Sequence, residues 1–356
     1  MQRTLSINRN SGIESRASVI TVDHPILHQS DAPSITQVRQ TFISKGVPLA
    51  IQAAVSAIKE ARLDKVDITH IVCTTSTDGG SPGLDRLLHL KLVLVASVET
   101  TLLHGMSALA ALRTAANIAL GCTAMGKSAQ ILCVTLDVNT TMLRTELDSV
   151  NQLQEPRIGA CLFSDCASAL VLSNGVGDQA RSVYELLRWN SETIPDTEND
   201  FGFEANATGW KPHLSDKLPS VLSEALAPGF NNLIGLPQLH GDRPHPANFD
   251  WAIDPVGGPV LSGAENALEI TAEHLRASYE TYNKHGYAGS AALFSILDRL
   301  RSAEMDTMTS RGQGRDYIIG CSFSPGVVLD MCMLRRSRNG DRKDSKCSEI
   351  SMQNGQ

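Results

Sequence analysis

At 356 residues, 42% of them hydrophobic, the chain is long enough for a large α/β core or for two fused half-domains. Its formal net charge of -7 disfavours a nucleic-acid surface, which needs clustered Lys and Arg. Apolar runs such as residues 108–112 and 131–134 fall far short of a membrane span, and no charged-then-apolar leader opens the chain; it reads as soluble and cytoplasmic.

In chain order, "VPLAIQAAVSAIKEA" (47–61) repeats apolar residues at three and four positions and predicts an amphipathic helix, and "ITHIVCTTS" predicts a strand running into a loop. "LLHG" (102–105), the Ala-rich stretch to Gly121 and "SAQILCVTL" predict strand, helix and strand. "RIGACLFSDCASALVLSNG" holds two apolar runs hinged at Ser164 and Asp165, the pattern of a hairpin, and closes a first half at 1–175. Residues 190–242, rich in Pro, Gly, Asn and Asp, predict loops between the halves. The second half, 176–336, repeats the grammar. "FDWAIDP" predicts a strand, "ENALEITAEHLRASYETYNKHG" and "SAALFSILDRLRSAE" predict helices, and "YIIGCSFSPGVVLDMCMLRR" predicts a glycine-hinged hairpin. Residues 337–356 are charged and nearly free of large apolar side chains, which predicts a disordered tail.

Eight cysteines (73, 122, 133, 161, 166, 321, 332 and 347) sit mostly inside apolar runs, as reduced, buried thiols do. There is no CxxC pair, and the ten histidines form no HExxH cluster, so no metal is expected and no cofactor is implied. "SNGVGDQAR" lacks the third glycine of a dinucleotide loop; "GGSPG" (79–83) and "GCTAMGKS" (121–128) spell G-x-S-x-G and the Walker pattern, but the second follows a predicted helix rather than a strand, and neither a nucleophile elbow nor a phosphate loop is expected.

Seven blocks in order carry a resemblance: "LSINRNSGIESRASV", "KGVPLAIQAA", "LLHG" with "LAALRTAANIALG", "RIGACLFSDCASALVLSNG", "IPDTENDFGFEANATGWKPHLS", "FDWAIDPVGGPVLSGAENAL" and "CSFSPGVVLDMCMLRR". Together the chain resembles type III polyketide synthases, the chalcone-synthase-like enzymes, in their fungal branch. The resemblance implies a thiolase-like α/β fold, two related halves in a five-layer αβαβα arrangement, and a homodimer. It also implies acyl-CoA and malonyl-CoA as ligands and an acyltransferase that makes pyrones or resorcinols. In that chemistry a cysteine thiolate at a helix N-terminus takes the acyl group. A histidine and an asparagine then hydrogen-bond the thioester oxygen and the enolate left by decarboxylation.

All three positions depart from the family pattern. Relatives read approximately LLHG, V-G-C-S-G-G, LAALRTAAN, whereas here only Met106, Ser107 and Ala108 separate Gly105 from Leu109, so three residues and the cysteine are missing. Ser107 is the remaining alcohol; it needs a base to attack, and its plain reading is a helix N-cap. Cys122 lies too far along the helix to substitute. Asp254 in "WAIDPVGG" stands at the histidine. Ionised, it would repel a thiolate or enolate by about 4 kcal/mol; burial would instead keep it protonated and make it a donor, which nothing in the sequence shows, and its plain reading is a loop Asp capping a turn. Tyr287 in "NKHGYAGSAALF" stands at the asparagine, where its ring would fill substrate space, and His285 nearby is a weak substitute base.

The resemblance further places Thr75, Ser76, residues 137–142 with Asn139 and Met142, and residues 323–326 with Phe323 and Gly326 at an acyl pocket, with packing as the equal alternative. It places Arg9 and Arg16 at the CoA phosphates. A first strand that precedes "LSINR" in relatives is missing at this N-terminus. The functional expectation is an acyltransferase by family, impaired or inactive because the Cys-His-Asn triad is not preserved. Two alternatives stay open: a non-catalytic homologue that dimerises or binds acyl-CoA, and the product of a misassembled gene model.

Overall fold

Helix α1 (Gln2–Asn10) and the short α2 (Pro25–His28) lead into α3 (Ile35–Thr41), which starts on a Ser34–Gln37 capping box and runs through a π-helical turn into α4 (Val47–Glu60). The computed structural model describes residues 2–154, 157–177, 182–235 and 244–337. The continuous run Ile35–Glu60 has the length and apolarity of a membrane span, which the short apolar runs of the sequence do not suggest. Its Val47, Ala50, Ala54 and Ile58 are nonetheless buried at the predicted helical spacing, and they join a core with the strands below.

Strand β1 (His70–Thr75), α5 (Leu84–Leu92), β2 (Glu99–His104), α6 (Ala108–Ala124) and β3 (Gln130–Val138) follow as the sequence predicts. Then come α7 (Leu143–Leu153), α8 (Gly159–Leu162) and β4 (Asp165–Ser173). The hairpin expected at Ser164 and Asp165 does not form. Residues 159–162 make one helical turn, and the Ser164 N–H donates to Tyr287 O at 2.9 Å, so the hinge crosses to a distant part of the chain instead of turning back.

The expectation of loops over 190–242 is also corrected. The segment holds the end of β5 (Tyr184–Thr193), the hairpin β6 (Phe201–Asn206) and β7 (Gly209–Leu214), and the 17-residue α9 (Leu218–Ile234), whose face Leu218, Leu222, Leu226, Phe230 and Leu233 is buried. Residues 236–242 lie outside the described residues. After β8 (Asp250–Ile253), the predicted 265–286 helix is two, α10 (Gly258–Leu268) and α11 (Arg276–His285), broken where Glu269 takes φ +52°. Helices α12 (Ala292–Leu300) and α13 (Ala303–Thr307) precede the predicted hairpin β9 (Tyr317–Ser324) and β10 (Val328–Arg336). Of the tail, Ser337 still donates its N–H to Val183 O at 3.0 Å; residues 338–356 lie outside the described residues.

The first sheet has order β2-β1-β3-β4, with β1 parallel to β2 and β3, and β4 antiparallel to β3. The second has order β5-β10-β9-β8, with only β8 and β9 parallel. Helices α4 and α5 cover the outer face of the first sheet, α6 and α12 fill the space between the sheets, and α9 and α10 cover the outer face of the second. Five layers, αβαβα, result. Both faces of β3 are covered, which is why all nine of its residues are buried and its sequence shows no polar alternation. The carboxyl ends of β1, β3, β8 and β9 point to the same end of the molecule as the start of α6, and the candidate residues gather there.

Candidate active site

Strand β2 ends at His104, and Gly105, at φ +69°, turns the chain into α6 with its N–H on Thr75 O at 2.9 Å. Met106 O accepts a hydrogen bond from Thr74 Oγ1. Ser107 is the N-cap of α6: its Oγ accepts the Ala110 N–H at 3.3 Å and donates to Asp330 Oδ2 at 3.0 Å, while its N–H donates to Ser324 Oγ at 2.8 Å. Arg113 Nε holds the other Asp330 oxygen at 3.1 Å. Ser107 is only 2% exposed and ties α6 to the second sheet, so the plain reading describes its geometry. Cys122 is buried on α6 at the far end, about 21 Å along the axis from Ala108 at roughly 1.5 Å per residue.

Asp254 leaves the end of β8 with its N–H on Cys321 O at 2.9 Å and is 2% exposed. Its Oδ1 has no hydrogen-bond partner among the described residues, so its side chain caps no turn through that oxygen. Burial, reinforced by Asp137, pushes its carboxyl well above the usual range. The ionised, repelling Asp expected from the sequence is therefore replaced by a carboxyl that favours its neutral form and can donate a hydrogen bond.

Tyr287 follows α11 in a short bridge to the segment after α8, its N–H on Leu162 O at 2.8 Å and its ring centre 5.7 Å from that of Phe163. It is 3% exposed, and burial, then Asp254 and Asp137, push its phenol well above the ordinary value, which keeps it protonated. His285 instead faces outward at the end of α11, its imidazole held below the ordinary value by burial. Ser164 Oγ, beside Tyr287, and Ser322 Oγ, next along β9 from Cys321, also lack partners among the described residues.

Asp137, at the end of β3, behaves differently. Its Oδ1 accepts the Ser76 N–H at 2.7 Å and Thr75 Oγ1 at 3.3 Å; its Oδ2 accepts the Ser290 N–H at 2.7 Å and Ser290 Oγ at 2.8 Å. Burial raises its carboxyl to about 6 against the pull of these donors. Gly289, at φ +58°, allows the approach, since a Cβ there would lie 2.5 Å from Oδ2. Thr75 and Ser76 thus serve the buried tether between β1, β3 and the turn before α12.

A cavity of about 290 Å3 opens beside this centre, walled by Arg16, Ile20, Leu27, Asn139, Met142 and Phe163 among others. Asn139 and Met142 line it, with Asn139 Nδ2 fixed on Ser164 O at 2.7 Å. Thr75, Ser76, Phe323 and Gly326 line neither this cavity nor a second, polar one of about 380 Å3 at the opposite end of the second sheet. Phe323 is buried in the core shared with α9 and α10, and Gly326 makes the β9–β10 turn at φ +71°. Arg16 reaches back to Ala160 O at 2.7 Å and Phe163 O at 3.4 Å, whereas Arg9 is exposed on α1. The described residues contain no cluster of His, Cys, Asp and Glu suited to a metal.

The sequence profile of chalcone and stilbene synthases, N-terminal domain, matches residues 8–176, and that of the C-terminal domain matches residues 185–337. The acylalkylpyrone synthase csyB of Aspergillus oryzae is 33% identical over 345 residues, covering 94% of this chain and 86% of that protein. Among solved structures, the fungal type III polyketide synthase ORAS is 46% identical with a TM-score of 0.91, over 94% of this chain and 90% of that one. CsyB complexed with CoA-SH is 33% identical with a TM-score of 0.89, over the same 94% and 90%. The fold is the thiolase-like α/β fold of these proteins.

Proposed function

Because the chain belongs to the chalcone and stilbene synthase family, we propose that it binds acyl-CoA and malonyl-CoA in the manner of a type III polyketide synthase but does not condense them. It would hold an acyl chain in the 290 Å3 cavity and be impaired in making pyrones or resorcinols. The carrying observation is the β2–α6 junction: Gly105, Met106 and the cap Ser107 occupy the turn, no thiol stands there, and Cys122 lies at the other end of the helix. The CoA complex of CsyB supports the choice of ligand. A homodimer is part of the reading, since β2 is an edge strand whose free side offers backbone groups to a second copy. So is the division into halves at 1–175 and 176–336.

The test is intact-mass spectrometry of the protein after incubation with a long-chain acyl-CoA, with and without malonyl-CoA, together with analysis of small products. The expected result is an unmodified protein mass and no pyrone or resorcinol. An acyl adduct, mapped to Ser107 or to any cysteine, or a condensed product, would overturn the proposal. Light scattering on the eluting protein should give twice the chain mass.

A further inference from the structure

Helix α7 turns one acidic side chain inward. Glu146 lies on the wall of the 290 Å3 cavity and is 3% exposed, and among the described residues none donates a hydrogen bond to its carboxyl. Gly159 passes so close beneath it that a Cβ there would lie 3.0 Å from Oε2, so the carboxyl rests against bare backbone at the start of α8. Around it the cavity wall mixes apolar side chains, among them Leu27, Met142 and Phe163, with the hydroxyls of Ser18, Thr21 and Thr140. The other charged group of the wall, Arg16, turns its Nη1 to Ala160 O and Phe163 O. The Glu146 carboxyl lies on the cavity wall with no hydrogen-bond donor from the described residues, and a ligand atom in the cavity would complete it.

Burial raises the Glu146 carboxyl to about 7, while Arg157, just before α8, and Lys211 on β7 pull it down. The Cys161 thiol on α8 and Arg16 also face it, and α2, packed on α7, contributes His28, whose ring is held at Val22 O. These positive neighbours disfavour a cationic ligand group, and a carboxylate ligand would meet the ionised form of Glu146 at close range. An uncharged acceptor fits the protonated side chain. Resting on the reading that this cavity takes an acyl chain, we propose that Glu146 is a specificity-determining residue that selects acyl chains carrying a ketone oxygen over plain alkyl chains, by donating a hydrogen bond to that oxygen.

The experiment is calorimetric titration of the full chain with octanoyl-CoA, 3-oxooctanoyl-CoA and 5-oxooctanoyl-CoA, at pH values on either side of the Glu146 value of about 7. On the acid side, one oxo chain should bind about tenfold more tightly than octanoyl-CoA. On the alkaline side, that preference should shrink to about twofold or less, as the donor is lost. Glu146→Gln, whose amide donates at both pH values, should keep the preference at both. Glu146→Leu should abolish it, read as the ratio of oxo-chain to octanoyl-CoA affinity within that variant. If wild type binds octanoyl-CoA but prefers neither oxo chain, or if Glu146→Leu keeps the preference, the inference fails and the proposed function stands. If octanoyl-CoA does not bind the wild type, both fail.

Discussion

Two carboxyls at neighbouring strand ends, Asp137 in the last residues of β3 and Asp254 just after β8, are both buried and are treated in opposite ways. Asp137 accepts four hydrogen bonds from Thr75, Ser76 and Ser290 and is raised only to about 6. Asp254 keeps an oxygen without a partner and is pushed well above the usual range. The first belongs to the scaffold that joins the two sheets, where every polar contact is closed. The second stands where the family resemblance puts a catalytic partner, and the contacts that such a centre would make to a ligand are open.

The comparison is broken most sharply at Asp137. Asp137→Ala strips partners from two buried N–H groups and two hydroxyls and should cost about 3 kcal/mol or more in urea unfolding. A loss under about 1 kcal/mol would show that the tether is not structural.

Asp254→Asn has the opposite sign. Asp137, Glu146 and Asp254 are all raised in the folded state, so each contributes stability that is full below the unfolded carboxyl value of about 4 and is lost as pH rises through the folded value. For Asp137 and Glu146 that loss runs to about 6 and about 7, and for Asp254 to a value well above the usual carboxylate range. Wild-type stability should therefore fall from weakly acid to weakly alkaline pH. Asp254→Asn should be more stable than wild type by at least about 1 kcal/mol at the alkaline end, with a flatter profile. An unchanged profile in this variant would mean that Asp254 is partnered and ionised. The smallest effect is expected for Ser107→Ala, about 1 kcal/mol from the lost cap, with acyl-CoA affinity unaltered. A large loss of binding would move Ser107 from helix cap to ligand contact.

Much of this was legible in the residues, for reasons that also explain the misses. Helix α4 and the β2–α6–β3 unit are read correctly because local periodicity and a glycine turn specify them. The break at Glu269 is invisible to such patterns, since a continuous apolar run looks alike in one helix or two, while the hinge read at Ser164 and Asp165 exists but pairs with the distant Tyr287, which no local pattern shows. Strand β5 and the β6–β7 hairpin are half exposed and rich in polar and turn residues, so their composition reads as loop even though long-range pairing makes them strands. Ser107 as a cap was legible from its place before an apolar helix. The neutral state of Asp254 was not, because burial and a carboxyl 117 positions earlier in the chain set it. Glu146 went unread for a similar reason: "LRTELDSVNQL" looks like a solvated helix face, and only the fold turns one of its acids inward.

The central claim is that the scaffold persists while the condensing centre is lost, and restoring that centre tests it most directly. One variant reinserts a Val-Gly-Cys-Ser-Gly-Gly turn between Gly105 and Leu109 and carries Asp254→His and Tyr287→Asn; the other carries the two substitutions alone. Product analysis with an acyl-CoA and malonyl-CoA should find a pyrone or resorcinol from the first and none from the second or from wild type. Product from wild type or from the double substitution would contradict the account, and so would a folded, acyl-CoA-binding first variant that makes none.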